Sequence, residues 1–244
     1  TARKGRRMKR IVMTCAFAAL VSVCTSASAG NWTWDASTGV YGRNTFRGAR
    51  LGGTSIISEG TLTCQLTPRL SVSGRGLNAL NLTAPQGNNE NRLDVYLRYK
   101  PWQKVGLVGG WLYYDHNAAH GLGPDTAEIY GGIETKYFGW NPSIYGFYDY
   151  DQNVGLYVVG TVSRSFTLGK SGWTLDTLGA LGFDSGRNNK LQNGLISLDL
   201  NYPLAKGLEF GPRVDIHFPS NAVDPTANGC RPVLGLGVNY SGAF

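Results

Sequence analysis

The chain is poor in the side chains that most often carry chemistry: of its 244 residues, three are histidine, four are cysteine and two are methionine. Cys15 and Cys24 fall in an N-terminal apolar stretch, which leaves Cys64 and Cys230, and this pair shows no CxxC and no metal-ligand spacing. Beyond residue 30 there is no apolar run of about 18 residues, so membrane-spanning helices are excluded. No 3.6-residue periodicity persists long enough to propose a helix, and no repeat of fixed period or low-complexity tract appears. Charge of one sign is scarce as well, once the N-terminus is set aside. Six of the 23 basic residues (Arg3, Lys4, Arg6, Arg7, Lys9 and Arg10) and none of the 16 acidic ones precede Gly30, so 17 basic residues remain against 16 acidic, a net +1. The overall +7 therefore gives no support for a nucleic-acid partner, which would need a concentrated basic surface.

The N-terminus reads as an export signal. Met8-Lys9-Arg10 precede the apolar run Ile11 to Val23, and Ala27-Ser28-Ala29 supplies small residues at both positions that a signal peptidase reads. The run is too short to span roughly 30 Å of hydrocarbon. Cleavage is expected before Gly30, with Thr1 to Arg7 as upstream sequence, so residues 1–29 are removed and residues 30–244 form one domain. Arg6-Arg7 lack the apolar residues that follow a twin-arginine pair, and Val23 before Cys24 does not suit lipoprotein processing.

What the chain has instead is a period of two. Stepping back from Phe244 gives Gly242, Tyr240, Val238, Leu236 and Leu234, with Ser241, Asn239, Gly237 and Gly235 between them. This strand is similar to the terminal strand of bacterial outer-membrane barrels, in which Tyr240 and Phe244 would be the residues read by the barrel-assembly machinery. Gly242 departs from that pattern, standing where a large apolar residue is usual. Alternation and turn residues mark twelve segments: approximately Trp32 to Tyr41, Ser55 to Leu66, Arg69 to Gly76, Arg92 to Lys100, Lys104 to Tyr114, Thr126 to Thr135, Ser143 to Tyr150, Val154 to Phe166, Trp173 to Phe183, Leu195 to Tyr202, Leu208 to Phe218 and Val233 to Phe244. Connections after even-numbered segments are short and carry Pro or Gly; those after odd-numbered segments are long and polar, except Asp151 to Asn153. The expected fold is all-β: a membrane-spanning, antiparallel, up-and-down β-barrel of twelve strands, or ten if the weak third and seventh segments are loops.

The two faces of these segments differ in kind. One phase, taken as outward, carries apolar and aromatic residues and no charge except Arg164, as lipid demands where Arg or Lys costs roughly 2 to 4 kcal/mol at the midplane. Five of the six tryptophans (Trp32, Trp34, Trp102, Trp140 and Trp173) gather at the short-turn boundary, which favours a membrane interface over the core of a soluble β-sandwich. Pro212 interrupts a closed ladder, so a bulge is expected there. The inward phase is polar. Its candidate pore-lining residues are Arg69, Arg75, Arg92, Asp94, Arg98, Glu128, Glu134, Asp149, Asp199, Glu209, Arg213 and Asp215, joined by Asp35, Glu59, Lys104 and Asp176. The acidic excess leans toward cations. Two alternatives stand beside that: an ion-pair network that fills the lumen, or a basic ladder of Arg69, Arg75, Arg92 and Arg98 for anionic solutes.

Two segments resemble a known family. Tyr41-Gly42-Arg43-Asn44-Thr45-Phe46-Arg47-Gly48 matches the Y-x-x-x-x-F-R-G opening of the TorF-type porins, small outer-membrane proteins of about this length. Glu128-Ile129-Tyr130-Gly131-Gly132, with Asn141-Pro142-Ser143 and Tyr148-Asp149-Tyr150-Asp151, is similar to their middle section. The resemblance implies a diffusion channel for small hydrophilic solutes or ions in the outer membrane, with membrane lipid as a partner and no catalytic residues, metal or cofactor. Arg43, Phe46 and Arg47 would pack at the barrel mouth. The competing classes are a closed structural or adhesive barrel and an outer-membrane hydrolase using Asp215 and His217 near Asp149, Asp151, Asp115 and His116. A His beside a carboxylate can act as a base, yet i and i+2 on a strand are ordinary same-face neighbours. His116 and His120 with Asp115 also have the residue types of a metal site, although a solvated loop explains them equally.

Overall fold

The computed structural model describes residues 31–42, 45–46, 49–50, 53–83, 90–116, 125–151, 155–170, 172–185, 190–219 and 230–243. The expected leader, Arg43, Arg47, His120 and Phe244 lie outside the described residues. Period-two alternation becomes strand throughout: β1 (Asn31–Tyr41), β2 (Thr45–Phe46), β3 (Ala49–Arg50), β4 (Ser55–Thr67), β5 (Leu70–Asn81), β6 (Glu90–Trp102), β7 (Val105–His116), β8 (Thr126–Thr135), β9 (Asn141–Asp149), β10 (Gly155–Leu168), β11 (Trp173–Asp184), β12 (Lys190–Ala205), β13 (Leu208–Pro219) and β14 (Arg231–Ala243).

Twelve of these strands, β1 and β4 to β14, form one closed barrel in which each pairs antiparallel with its chain neighbour. The seam between β1 and β14 runs from Thr33 opposite Ala243 to Tyr41 opposite Gly235. Closure leaves no free edge, so each of these twelve strands has a partner on both sides. The weak third and seventh segments are full wall strands: β5 pairs with β4 and β6, and β9 with β8 and β10. The ten-strand alternative is thereby excluded. β2 and β3 make a separate two-stranded hairpin between β1 and β4, and Phe46 lies in it.

Several strands run further toward the long loops than alternation predicts. β5 continues to Asn81, β6 starts at Glu90 and β12 starts at Lys190. Beyond the apolar band both faces of a strand meet water, so hydropathy no longer marks it, while polar cross-strand pairs such as Asn78 donating to Asn91 still hold the ladder. Pro212 does not produce the expected bulge. The β12–β13 ladder lapses between Asp199–Arg213 and Tyr202–Phe210 and resumes in the same register, and the bulge falls at Pro203–Ala205, beside the turn. The missing proline donor is absorbed by a gap in the ladder.

Short turns close the other end. Between β8 and β9, Tyr137 and Trp140 exchange backbone hydrogen bonds of 2.9 Å in both directions. Phe138 (φ 49°) and Gly139 (φ 79°) form the tip, the positive-φ pair that suits the twist of a two-residue hairpin. At Gly207 (φ 74°) a Cβ would lie 2.3 Å from the Ser241 carbonyl, so only glycine fits.

The outer face is apolar and open: Leu97, Ile129, Ile144, Leu181 and Leu234 are all more than half exposed. A soluble monomer rarely shows so continuous an apolar surface. Among the described residues, a buried apolar cluster centres on Cys64, whose small thiol is covered by Trp32, Leu66, Val72 and Val95. Cys64 and Cys230 are both free and sit at opposite ends of the barrel. The odd Gly242 also finds its reason on this face. It lies directly opposite Trp34, whose indole occupies the space where a Cβ would come within 2.6 Å of Nε1. Trp34 then meets Tyr240 edge to face, with ring centroids 4.7 Å apart. The bulk that is missing from β14 is supplied across the seam by β1.

Gly242→Leu should therefore overpack the closing seam and destabilise the barrel by about 1 to 3 kcal/mol. The urea midpoint for unfolding from lipid vesicles reports it, and Trp34→Ala in the same chain should recover most of the loss. A double variant no more stable than the single one would disprove this packing.

Candidate lumen site

Closure turns the second face of every strand inward, and cross-strand register stacks its polar residues into layers. Nearest the middle, Glu59 on β4, Arg75 on β5 and Asp94 on β6 follow one another around the wall, with Arg75 opposite Asp94. Arg75 donates from both Nε and Nη2 to the two oxygens of Glu59, each at 2.8 Å, the bidentate geometry that a guanidinium favours. Asp94 is buried and accepts from the Tyr130 hydroxyl at 2.8 Å. Toward the short turns, Glu134 accepts from Arg98 Nη2 at 2.9 Å and from the Tyr145 hydroxyl. Toward the long loops, Glu128 accepts from the Tyr114 hydroxyl at 3.1 Å, Asp149 accepts from Thr126 Oγ1 at 2.9 Å, and Arg92 pairs with the fully buried Glu90.

A second network lies on β11 to β13. Asp176 and Asp199 stand directly opposite each other, a repulsive pairing taken alone. Asn201 Nδ2 donates to Asp176 at 2.9 Å, while Arg213 reaches Asp199 at 3.3 Å and donates from Nε to both oxygens of Asp215 at 2.9 and 3.1 Å. Glu209 sits further along β13 beside the cavity formed with Asp35, Ser37, Asn239 and Ser241. Each of these ion pairs joins residues on one strand or on strands one or two apart, so the charges are tied to the wall.

Eleven of the twelve residues expected to line the interior stand on barrel strands, ten of them in these networks. Arg69 is the exception: it is exposed in the turn between β4 and β5, because Thr67 ends one strand and its hydroxyl accepts from the backbone N–H of both Arg69 and Leu70. The four-arginine ladder loses that member, and Arg75, Arg92 and Arg98 remain. Lys104 likewise lies in a turn, between β6 and β7. The suggested Asp215–His217 dyad is not preorganised by its carboxylate, since both Asp215 oxygens are held by Arg213. Among the described residues no three His, Cys, Asp or Glu side chains converge as metal ligands.

Sequence reasoning missed the aromatic half of the interior. A cavity of about 360 Å³ is bounded on one side by Arg75, Arg92 and Arg98 and on the other by Tyr130, Tyr145, Phe147 and Tyr157. The rings form one array, with Tyr130 and Phe147 stacked at 5.0 Å and Phe147 to Tyr157 at 6.2 Å. Glycines opposite the rings let them lie flat. Tyr130 faces Gly110, Tyr145 faces Gly132 and Tyr41 faces Gly235 across neighbouring strands, and a Cβ on any of these glycines would come within 2.6 Å of the ring. The available signal was an inward glycine opposite an inward tyrosine, which becomes visible only when the register is known.

This geometry defines a class: a closed, twelve-stranded, antiparallel barrel with an apolar exterior and a charged, aromatic-lined interior. No protein-family model matches the chain, and no curated protein is similar to it in sequence. Solved structures share the fold. The chain is similar to the KdgM porin (TM-score 0.51, 11% identity, covering 85% of this chain and 98% of that one). It is similar to the NanC porin to the same degree (0.52, 10% identity, 85% and 98%). An outer membrane channel from Pseudomonas putida F1 also matches (0.50, 12% identity, 88% and 96%).

Glu134 ties two neighbours at once, so Glu134→Gln should cost about 1 to 3 kcal/mol of barrel stability, since Arg98 would be left as a poorly compensated inward charge. Urea midpoints in vesicles measure this, and an unchanged midpoint would show that the pairing carries no net energy.

Proposed function

We propose that the chain is an outer-membrane channel through which small hydrophilic solutes or ions pass passively. The observation that carries the reading is the division of one continuous wall into two faces, with a half-exposed apolar surface outside and charge held against the wall inside. An exposed apolar band around a closed barrel is stable in lipid, where every backbone group must be paired within the protein. The likeness to porin and channel folds, and the resemblance to the TorF-type porins, point the same way. Tyr240, packed on Trp34 in the closing strand, is the described residue suited to recognition by the assembly machinery.

The wall-bound ion pairs favour an open path over a plugged one, because Arg75, Arg92, Arg98 and Arg213 each meet a carboxylate on the same or a nearby strand without reaching across the interior. They also set the preference. Arg75, Arg92, Arg98 and Arg213 each hold a carboxylate partner, and inward carboxylates outnumber them, so the lumen favours cations. One KdgM structure is a complex with disordered oligogalacturonate; neutralised arginines make a comparable anionic solute the weaker reading here.

Refolded protein in a planar bilayer should give discrete current steps and a reversal potential of cationic sign in a potassium chloride gradient. Absence of steps at every voltage would overturn the channel. Gly110→Ala should lower the step size by pushing Tyr130 toward the axis, whereas Gly109→Ala, on the opposite face, where a Cβ would meet only the Tyr130 carbonyl oxygen at 3.9 Å, should leave it unchanged. Equal conductance of the two variants would show that Tyr130 does not border the path.

A further inference from the structure

Among the described residues, the outer face between the two rims carries one charge, Arg164 on β10, apart from Asp115 at the long-loop end of β7. Lipid does not tolerate an outward guanidinium without compensation. The side chain is half-buried near the short turns, with its Cζ 5.3 Å from the centroid of the Trp140 ring and 4.8 Å from that of Phe166. Gly139 of the β8–β9 hairpin lies beside it; a Cβ there would be 3.5 Å from the guanidinium. The rings hold the cation in place by cation–π attraction, but they accept none of its five N–H donors in the plane of the group. Among the described residues no carboxylate, carbonyl or hydroxyl accepts from this side chain; the backbone carbonyl of Arg164 takes its bond from Thr177. The cation is positioned and its donors are open.

The surroundings add two independent features. The hairpin tip presents Tyr137 and Phe138, 66% and 80% exposed, in edge contact with each other at 4.4 Å. Phe138 holds a positive φ that a bulky residue seldom adopts. Each of the five short turns also contributes one basic residue (Arg69, Lys104, Lys136, Lys170 and Lys206) and no acidic one. An anchored guanidinium, exposed aromatics and a basic rim at one level of an apolar barrel match one ligand chemistry: a phosphate ester attached to an apolar body.

We propose that Arg164, clamped by Trp140 and Phe166, is a binding site for the phosphate of an anionic phospholipid in the membrane leaflet on the short-turn side. The phosphate accepts from the guanidinium in the planar, paired geometry the two groups share, and Tyr137 and Phe138 enter the glycerol-ester region beside it. The site rests on the membrane reading above but needs no open lumen, so conductance and lipid binding succeed or fail separately.

Native mass spectrometry of the refolded protein in neutral detergent provides the test, with phosphatidylglycerol, phosphatidylcholine and inorganic phosphate as probes. Phosphatidylglycerol should be retained in preference to phosphatidylcholine, and Arg164→Gln should weaken its retention by about tenfold, the loss expected for one charge-assisted contact. Lys206→Gln, on a different turn, should change it little. Trp140→Leu, which keeps the cation but opens the clamp, should give an intermediate loss and serves if Arg164→Gln does not fold. Equal retention by Arg164→Gln or Trp140→Leu would overturn the site, as would equal binding of the two lipids. Displacement of phosphatidylglycerol by millimolar inorganic phosphate would also overturn it, identifying a free-anion site.

Discussion

Everything in this barrel depends on the pairing of β1 with β14. An open twelve-stranded sheet would present two rows of unpaired N–H and C=O groups, each costing several kcal/mol in hydrocarbon. The seam removes both edges at once, and its side chains are matched to that task. On the outer side Trp34 covers Gly242 and contacts Tyr240; on the inner side Tyr41 lies over Gly235. Aromatic bulk thus comes from the first strand and glycine from the last, so complementarity is completed only when the two ends of the chain meet.

The same exchange recurs around the interior. Tyr130 on Gly110 and Tyr145 on Gly132 put ring surface against backbone where a side chain would otherwise prop the ring into the lumen. Their hydroxyls, held in place, donate to Asp94 and Glu134, which also face Arg75 and Arg98. A polar interior is stable when each charge finds a partner. Here the partners are mostly close neighbours on the wall, which lets its charges pair without spanning the interior.

Much of this was legible in the chain. The strand count, the alternation of faces, the sorting of short turns from long loops and the tryptophan boundary all follow from period-two patterning, because lipid and water impose opposite demands on successive residues. Legibility ends where that contrast ends. The outer extensions of β5, β6 and β12 lie beyond the lipid band, so their polar residues resemble loop. Arg69 has the right parity for the interior but stands one residue before β5, and a turn overrides parity. Pro212 signals a lost donor, yet whether a bulge or a lapse absorbs it is decided by β12.

The sequence by itself determined which residues meet lipid and which turn inward, since that is a property of single strands and their solvent. Tertiary structure alone decided which inward residues touch: that Arg75 serves Glu59, that Arg213 bridges Asp199 and Asp215, that tyrosines rest on glycines, and that Arg164 stands between Trp140 and Phe166. Those contacts depend on the register between paired strands. Each strand's own pattern repeats every two residues and is equally satisfied by shifts of two, so hydropathy cannot choose among them. Closure of the barrel, which fixes all twelve registers together, can.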